Sequence, residues 1–312
     1  MPTDAPAQAV LPRGCGVALV TPFDAAGRLD GEALARMVEH VVGGGAAFVV
    51  VLGTTGEAVS QSREECLAVL RRVRRLVAGR VPLVAGPFGA NSTASLTERF
   101  AAYAEALEGY AAVMSSVPSY VKPNQEGIYR HFMALAEVAP LPILLYNVPG
   151  RTGVHMTAAT TVRLARASDR FCGVKEASGN LVEGQRILRD RPRRDFLVYS
   201  GDDPTAMALC ACGADGAISV VGNAYPALFG EAIDGALEGR LAAARRANDA
   251  LLDVHPLLYV DGNPAGIKAV LARLGLCGPA VRLPLAEVSE ATEAALGRAV
   301  LQLEAARAPA LA

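Results

Sequence analysis

The chain has 312 residues and a formal net charge of −1, with 30 basic and 31 acidic residues interspersed along it. That balance supplies no field for gathering nucleic acid or an anionic membrane surface, and the longest purely apolar run, Ala46 to Leu52, is far too short to cross a bilayer. The N-terminus shows no basic region followed by an apolar core, so no secretory signal is expected and the cytoplasm is the expected compartment.

From the N-terminus to about residue 237, apolar segments rich in valine, isoleucine and leucine alternate with stretches of helical period. The rhythm predicts parallel strands joined by crossover helices, with strands near 16–20, 47–52, 81–85, 112–116, 142–146, 171–175, 196–200 and 216–220. Eight such units predict an α/β fold closed into a (β/α)8 TIM barrel, an architecture that often runs to ~250 residues as one unit. Gly43-Gly44-Gly45 is expected to end the first long helix, and Asp203-Pro204 offers an N-cap aspartate with proline at the first helical position. Arg71-Arg72-Val73-Arg74-Arg75 continues a helical pattern that begins near Ser62 and reads as a solvated helix face. Past residue 237 the pattern changes, and 240–252, 264–274 and 287–306 read as helices with no strands between them. The expected organisation is a flexible N-terminus (1–13), a catalytic barrel (14–237) and a C-terminal helical domain (238–312), packed as one body with frayed ends.

Barrel active sites lie where the strands end, and here those ends are polar. The sixth strand ends in one of only three lysines, set against twenty-seven arginines. Arginine stays charged at any accessible pH, whereas a lysine in a desolvated pocket can lose its proton and attack a carbonyl. Lys175 is therefore the candidate Schiff-base residue; the plain alternative is a lysine that snorkels from the strand end into water. Gly53-Thr54-Thr55-Gly56-Glu57 after the second strand is either a tight turn or a cradle whose N–H groups hold a carboxylate while a threonine hydroxyl passes a proton. Tyr146 is either a packed ring or an acid/base group, Tyr120 either a surface tyrosine or a proton carrier, and Arg151 either a surface charge or a fork for a substrate carboxylate. Asp202 and Asp203 fit helix capping better than cation binding. In a closed barrel all these segments face one mouth.

Cys15, Cys66, Cys172, Cys210, Cys212 and Cys277 form no CxxC pair and read as buried free thiols in a reducing compartment. The four histidines show no ligand spacing, so no metal is expected.

The segments GTTGE at 53–57, YNVPGRTG at 146–153, GVKEASGN at 173–180, SGDD at 200–203, NPAGIK at 263–268 and VRLPL at 281–285 resemble the dihydrodipicolinate synthase and N-acetylneuraminate lyase family of pyruvate-dependent class I aldolases. The similarity covers roughly residues 14–300. It implies an eight-stranded barrel with a C-terminal helical domain, assembled as a homotetramer of two tight dimers. It implies Lys175 as the residue that joins pyruvate in a Schiff base, with Tyr146 as acid/base and Thr54 and Tyr120 completing a proton relay, Tyr120 reaching the neighbouring subunit's site. Thr55 would hold the pyruvate carboxylate, Gly201 and Ile218 would shape the pocket, and Glu57 and Asn263 would play supporting parts. No cofactor is implied beyond the covalent adduct on Lys175. Arg151, after Tyr-Asn-Val-Pro, resembles the arginine of members that condense pyruvate with aspartate semialdehyde in lysine and diaminopimelate biosynthesis.

Two other readings stay open: a pyruvate aldolase or 2-keto-acid dehydratase acting on a sugar acid or aromatic aldehyde, and a catalytically silent barrel that binds a metabolite. The chain also departs from the family pattern. Ser119-Tyr120 stands where many members have two tyrosines, and Arg63 and Cys66 stand where bacterial members often have histidines. These positions belong to the lysine-feedback site of regulated relatives, with Asn91 retained and Glu98 a possible compensating carboxylate.

Overall fold

The computed structural model describes residues 10–86 and 88–307. Its core is a closed parallel barrel of eight strands in sequence order: β1 (Gly14–Ala18), β2 (Phe48–Val51), β3 (Leu83–Ala85), β4 (Ala112–Ser116), β5 (Ile143–Asn147), β6 (Phe171–Glu176), β7 (Leu197–Ser200) and β8 (Gly216–Ser219), with β8 closing on β1. Both faces of these strands are buried, which is why they read as apolar runs rather than as alternating residues. One face fills the barrel interior, where Phe48, Met114, Leu144, Tyr199 and Ile218 pack with Tyr146. The other meets the surrounding helices in a larger apolar shell.

The helix starts follow from local chemistry. The Asp30 carboxylate accepts from the N–H groups of Glu32 and Ala33, and Ser62 forms a capping box with Glu65, each cap stabilising its helix by about 1 kcal/mol. Helix Asp203–Ala211 begins one residue earlier than Asp203-Pro204 suggests: Asp202 takes the cap position, while the buried Asp203 carboxylate accepts from the Ser219 hydroxyl and the N–H groups of Val220 and Val221. It thus ties the end of β7 to the end of β8, and burial raises its pKa. The arginine run on helix Arg63–Val77 is less solvated than expected, because Arg72 and Arg74 donate to the carbonyls of Gly31 and Glu108.

After residue 237 come helices Leu241–Leu251, Val254–Leu257, Ala265–Arg273 and Glu290–Arg307. Of the segment 1–13, residues 1–9 lie outside the described residues; Leu11 is buried, and the Pro12 carbonyl accepts from the Tyr199 hydroxyl at 2.7 Å. Among the described residues no helix is long and apolar enough to cross a membrane. Five of the cysteines are buried as expected, but Cys212, which follows the end of helix Asp203–Ala211, is exposed.

An irregularity in β6 decides what faces the barrel axis. Cys172 packs in the interior cluster, whereas Val174, two residues on, packs in the outer shell. Strict alternation would put both on one face. The register between β5 and β6 shifts just here, from Ile143 opposite Phe171 to Leu144 opposite Gly173 and Tyr146 opposite Lys175. One extra residue in β6 therefore turns Lys175 inward and leaves Glu176 on the outer face. Gly173 permits it, because a Cβ there would stand 2.3 Å from the Leu197 carbonyl oxygen.

Candidate active site

Lys175 and Tyr146, neighbours across β5 and β6, place the lysine Nζ 4.6 Å from the centre of the tyrosine ring. Lys175 is 5% exposed. Gly201, just beyond β7, leaves it room: a Cβ at that position would lie 2.8 Å from Lys175 Cε and 2.6 Å from the Ala177 Cβ. Ile218, fully buried on β8, belongs to the same interior cluster as Tyr146.

Behind these strands the ends of β5 and β6 are locked by polar groups on their outer faces. Asn147 Nδ2 donates to Glu176 Oε2 at 2.7 Å and lies 3.0 Å from His155 Nδ1. The Ser178 N–H donates to the other Glu176 oxygen. Burial pushes the Glu176 carboxyl up, with the bonds from Asn147 and Ser178 acting in the opposite sense. The network fixes the strand ends that carry Tyr146 and Lys175.

The segment after β2 forms two successive turns, with the Gly56 N–H on the Gly53 carbonyl and the Glu57 N–H on the Thr54 carbonyl. Gly56 is required by close approach, since a Cβ would meet Leu52 Cα at 2.9 Å. Thr55 is buried and its hydroxyl accepts from Asn263 Nδ2 at 3.0 Å. Thr54 is half-buried and lines a cleft of about 880 Å³ together with Tyr146 and Arg151. Arg151, on the short helix Pro149–Thr152, is exposed, and its Nη2 donates to the Asn263 carbonyl at 3.3 Å. The barrel thus brings together Lys175, Tyr146, Thr54, Thr55, Arg151, Gly201 and Ile218.

Tyr120 is different. It is 87% exposed, with its backbone in the left-handed region at φ 62°, and it is not among the residues lining the cleft of its own chain. Such strain in a non-glycine residue persists only where the surroundings impose it. Val59, which lines the cleft, and Val121, next to Tyr120 in the chain, are also exposed.

The cleft also has an outer arm, lined by Arg63, Cys66, Asn91, Glu98, Tyr103 and Ser119. The Ser119 hydroxyl donates to Asn91 Oδ1 at 2.6 Å. Tyr103 is the residue that sequence reasoning passed over: on helix Thr93–Tyr103 it keeps apolar helical spacing and resembles core. Lys268 was passed over as well, although the scarcity of lysine was available as a signal. Among the described residues, no cluster of three or more histidines, cysteines or carboxylates could hold a metal.

A closed barrel with a buried lysine and a tyrosine at its mouth, under a turn rich in donors, is the arrangement of a Schiff-base lyase. The chain belongs to the dihydrodipicolinate synthetase family, whose model matches residues 11–303. It is 45% identical over 293 residues to the 4-hydroxy-tetrahydrodipicolinate synthase of Porphyromonas gingivalis, covering 94% of this chain and 97% of that one. Among solved structures, it is similar to the chloride-inhibited dihydrodipicolinate synthase of Acinetobacter baumannii complexed with pyruvate, with TM-score 0.89 and 37% identity over 94% of this chain and 99% of that one. The synthase of Cyanidioschyzon merolae with lysine bound gives TM-score 0.89 and 35% identity, over 95% and 99%.

Proposed function

We propose that the chain is a 4-hydroxy-tetrahydrodipicolinate synthase, condensing pyruvate with L-aspartate 4-semialdehyde. The observation that carries this reading is the inward-facing Lys175 beside Tyr146, whose cleft Thr54 also lines. The neutral Lys175 amine adds to C2 of pyruvate, and loss of water leaves an iminium whose positive charge acidifies the methyl group. Tyr146, relayed through Thr54, takes a methyl proton and leaves an enamine. The enamine carbon bonds to the aldehyde carbon, and the aldehyde oxygen takes a proton. The substrate's own amine then attacks the former C2, closes the ring and expels Lys175. Thr55 holds the pyruvate carboxylate, Gly201 and Ile218 bound the space around the adduct, and no further cofactor is assigned.

Arg151 is the residue we assign to the second substrate's carboxylate. It lines the same cleft as Tyr146 and Thr54, and its Asn263 contact leaves further donors for a planar anion. Arg151→Ala should lower kcat/KM for aspartate semialdehyde roughly 10²-fold or more, because a site built for a charged group loses its partner. Trapping of the pyruvate adduct with borohydride should be largely preserved. Equal loss of both steps would mark a structural arginine. An unchanged aldehyde dependence would favour the aldolase that acts on another aldehyde.

Tyr120, exposed on its own chain, is assigned to the relay of a neighbouring subunit, which makes the enzyme a homo-oligomer, with a dimer of dimers as the proposed form. A biosynthetic enzyme of this kind is placed in the cytoplasm. The outer arm of the cleft is the altered lysine-feedback site. Arg63 brings a like charge towards a lysine ligand, and Ser119 offers no ring. Repulsion and lost hydrogen bonds of about 1 kcal/mol each reduce affinity on the order of ten- to hundred-fold. L-lysine should therefore inhibit weakly or not at all at ordinary cellular concentrations. Calorimetry and initial rates check this, and tight binding with strong partial inhibition would show that the altered site still works.

A further inference from the structure

Two of the three lysines in this arginine-rich chain are buried. One is Lys175. The other, Lys268 on helix Ala265–Arg273, is fully enclosed, and its ammonium is spent on three neighbours. It donates to Glu57 Oε1 at 2.5 Å and to the Ala280 carbonyl at 2.8 Å, and it lies 4.4 Å from the centre of the Phe23 ring. The second Glu57 oxygen accepts from the Arg282 N–H at 3.0 Å. The Arg282 guanidinium covers the same Phe23 ring and pairs with both Glu65 oxygens.

Glu57 is the last residue of the turn that carries Thr54 and Thr55. It is buried, and its backbone is left-handed at φ 53°, an energetically costly state for a residue with a side chain. Its carboxylate is therefore what pins the turn from behind. From the same C-terminal helical segment Asn263 reaches the Thr55 hydroxyl. Glycine is absent at position 57 although glycine would relieve the backbone. A charge buried at that cost, and matched by a lysine from a distant part of the chain, calls for a role beyond stability, since replacing a buried ion pair by neutral groups of similar volume is often harmless to folding.

We infer that Glu57 and Lys268 are positioning residues that hold the Thr54-Thr55 turn at the height from which it grips the pyruvate carboxylate. The ammonium suits the place because it is a compact charge whose donors meet two acceptors, Glu57 Oε1 and the Ala280 carbonyl, beside the Phe23 ring. A guanidinium is longer, planar and forked. This inference rests on the assignment of Thr55 to pyruvate, and it makes the C-terminal helices part of the pyruvate site.

The test compares Glu57→Gln/Lys268→Met, Glu57→Asp and Thr55→Val with the parent full-length chain. Each is incubated with graded pyruvate and borohydride, the adduct is read by mass, and kcat is measured at saturating pyruvate. The neutral double variant should melt close to the parent yet need at least ten-fold more pyruvate for half-maximal trapping, with kcat falling less than three-fold. Glu57→Asp, which keeps the charge and shortens its reach, should raise the half-saturation about three-fold, and it decides the matter if the double variant does not fold. An unchanged half-saturation in the folded double variant, or in Glu57→Asp when that variant alone folds, overturns the positioning role. An equal fall in kcat and in pyruvate affinity also overturns it. If Thr55→Val leaves the half-saturation unchanged, or the parent traps no pyruvate, the underlying reading of the site fails instead.

Discussion

Lys175→Arg should fold like the parent and form no trapped pyruvate adduct at any pyruvate concentration, with turnover lost entirely. The substitution keeps a positive charge over the Tyr146 ring, where Lys175 Nζ now lies 4.6 Å from the ring centre. Structural needs met by a cation at this point are therefore largely preserved. What is removed is the ability to present a neutral nitrogen: a guanidinium does not deprotonate in proteins and cannot form the iminium on which every later step depends. Gly201 makes the replacement tight, since its missing Cβ is what gives the lysine stem its space. A melting curve accordingly belongs beside the mass measurement. Covalent labelling of folded Lys175→Arg would move the Schiff base to another amine. Lys268, enclosed among Glu57, Ala280 and Phe23, and Lys122 are the only other lysines.

The eight strands were legible to within two residues of their ends because a parallel strand buried on both faces writes itself as a short apolar run. The residues standing just past those runs were legible for the same reason: the barrel places them at one mouth. What sequence could not give was facing. Lys175 points inward only because β6 carries an extra residue at Cys172-Gly173, and a single glycine in a strand signals a bulge no better than it signals close packing. Tyr120 shows the same limit from the other side, since its loop is readable as mouth-proximal whereas its exposure depends on a backbone state that no propensity assigns. Asp203 was read as a cap because Asp-Pro commonly is one. The adjacent Asp202 takes that position, and Asp203 instead secures β8. Lys268 escaped notice because a lysine within a helical pattern is ordinarily a surface residue. Its partner Glu57 lies 211 positions away, and only the tertiary fold joins them.

Tyr146→Phe separates the two duties of the tyrosine. The ring fills the barrel interior with Leu144, Tyr199 and Ile218 and lies against Lys175. Phenylalanine preserves that volume and that contact, so the fold and the position of the lysine should be unchanged. The hydroxyl alone is lost, and with it the group we assign to taking and returning the methyl proton. Loss of a positioned proton carrier slows a reaction by about 10²–10⁴-fold, equivalent to roughly 3–5 kcal/mol of barrier. Turnover should fall by that factor while the equilibrium amount of pyruvate adduct trapped by borohydride stays near that of the parent. Exchange of the pyruvate methyl hydrogens with deuterium oxide, which needs the iminium and the proton step but no aldehyde, should slow in parallel with kcat. A near-normal kcat would remove Tyr146 from the relay. A variant that loses the adduct as well as the exchange would instead assign the hydroxyl to formation of the Schiff base, one step earlier.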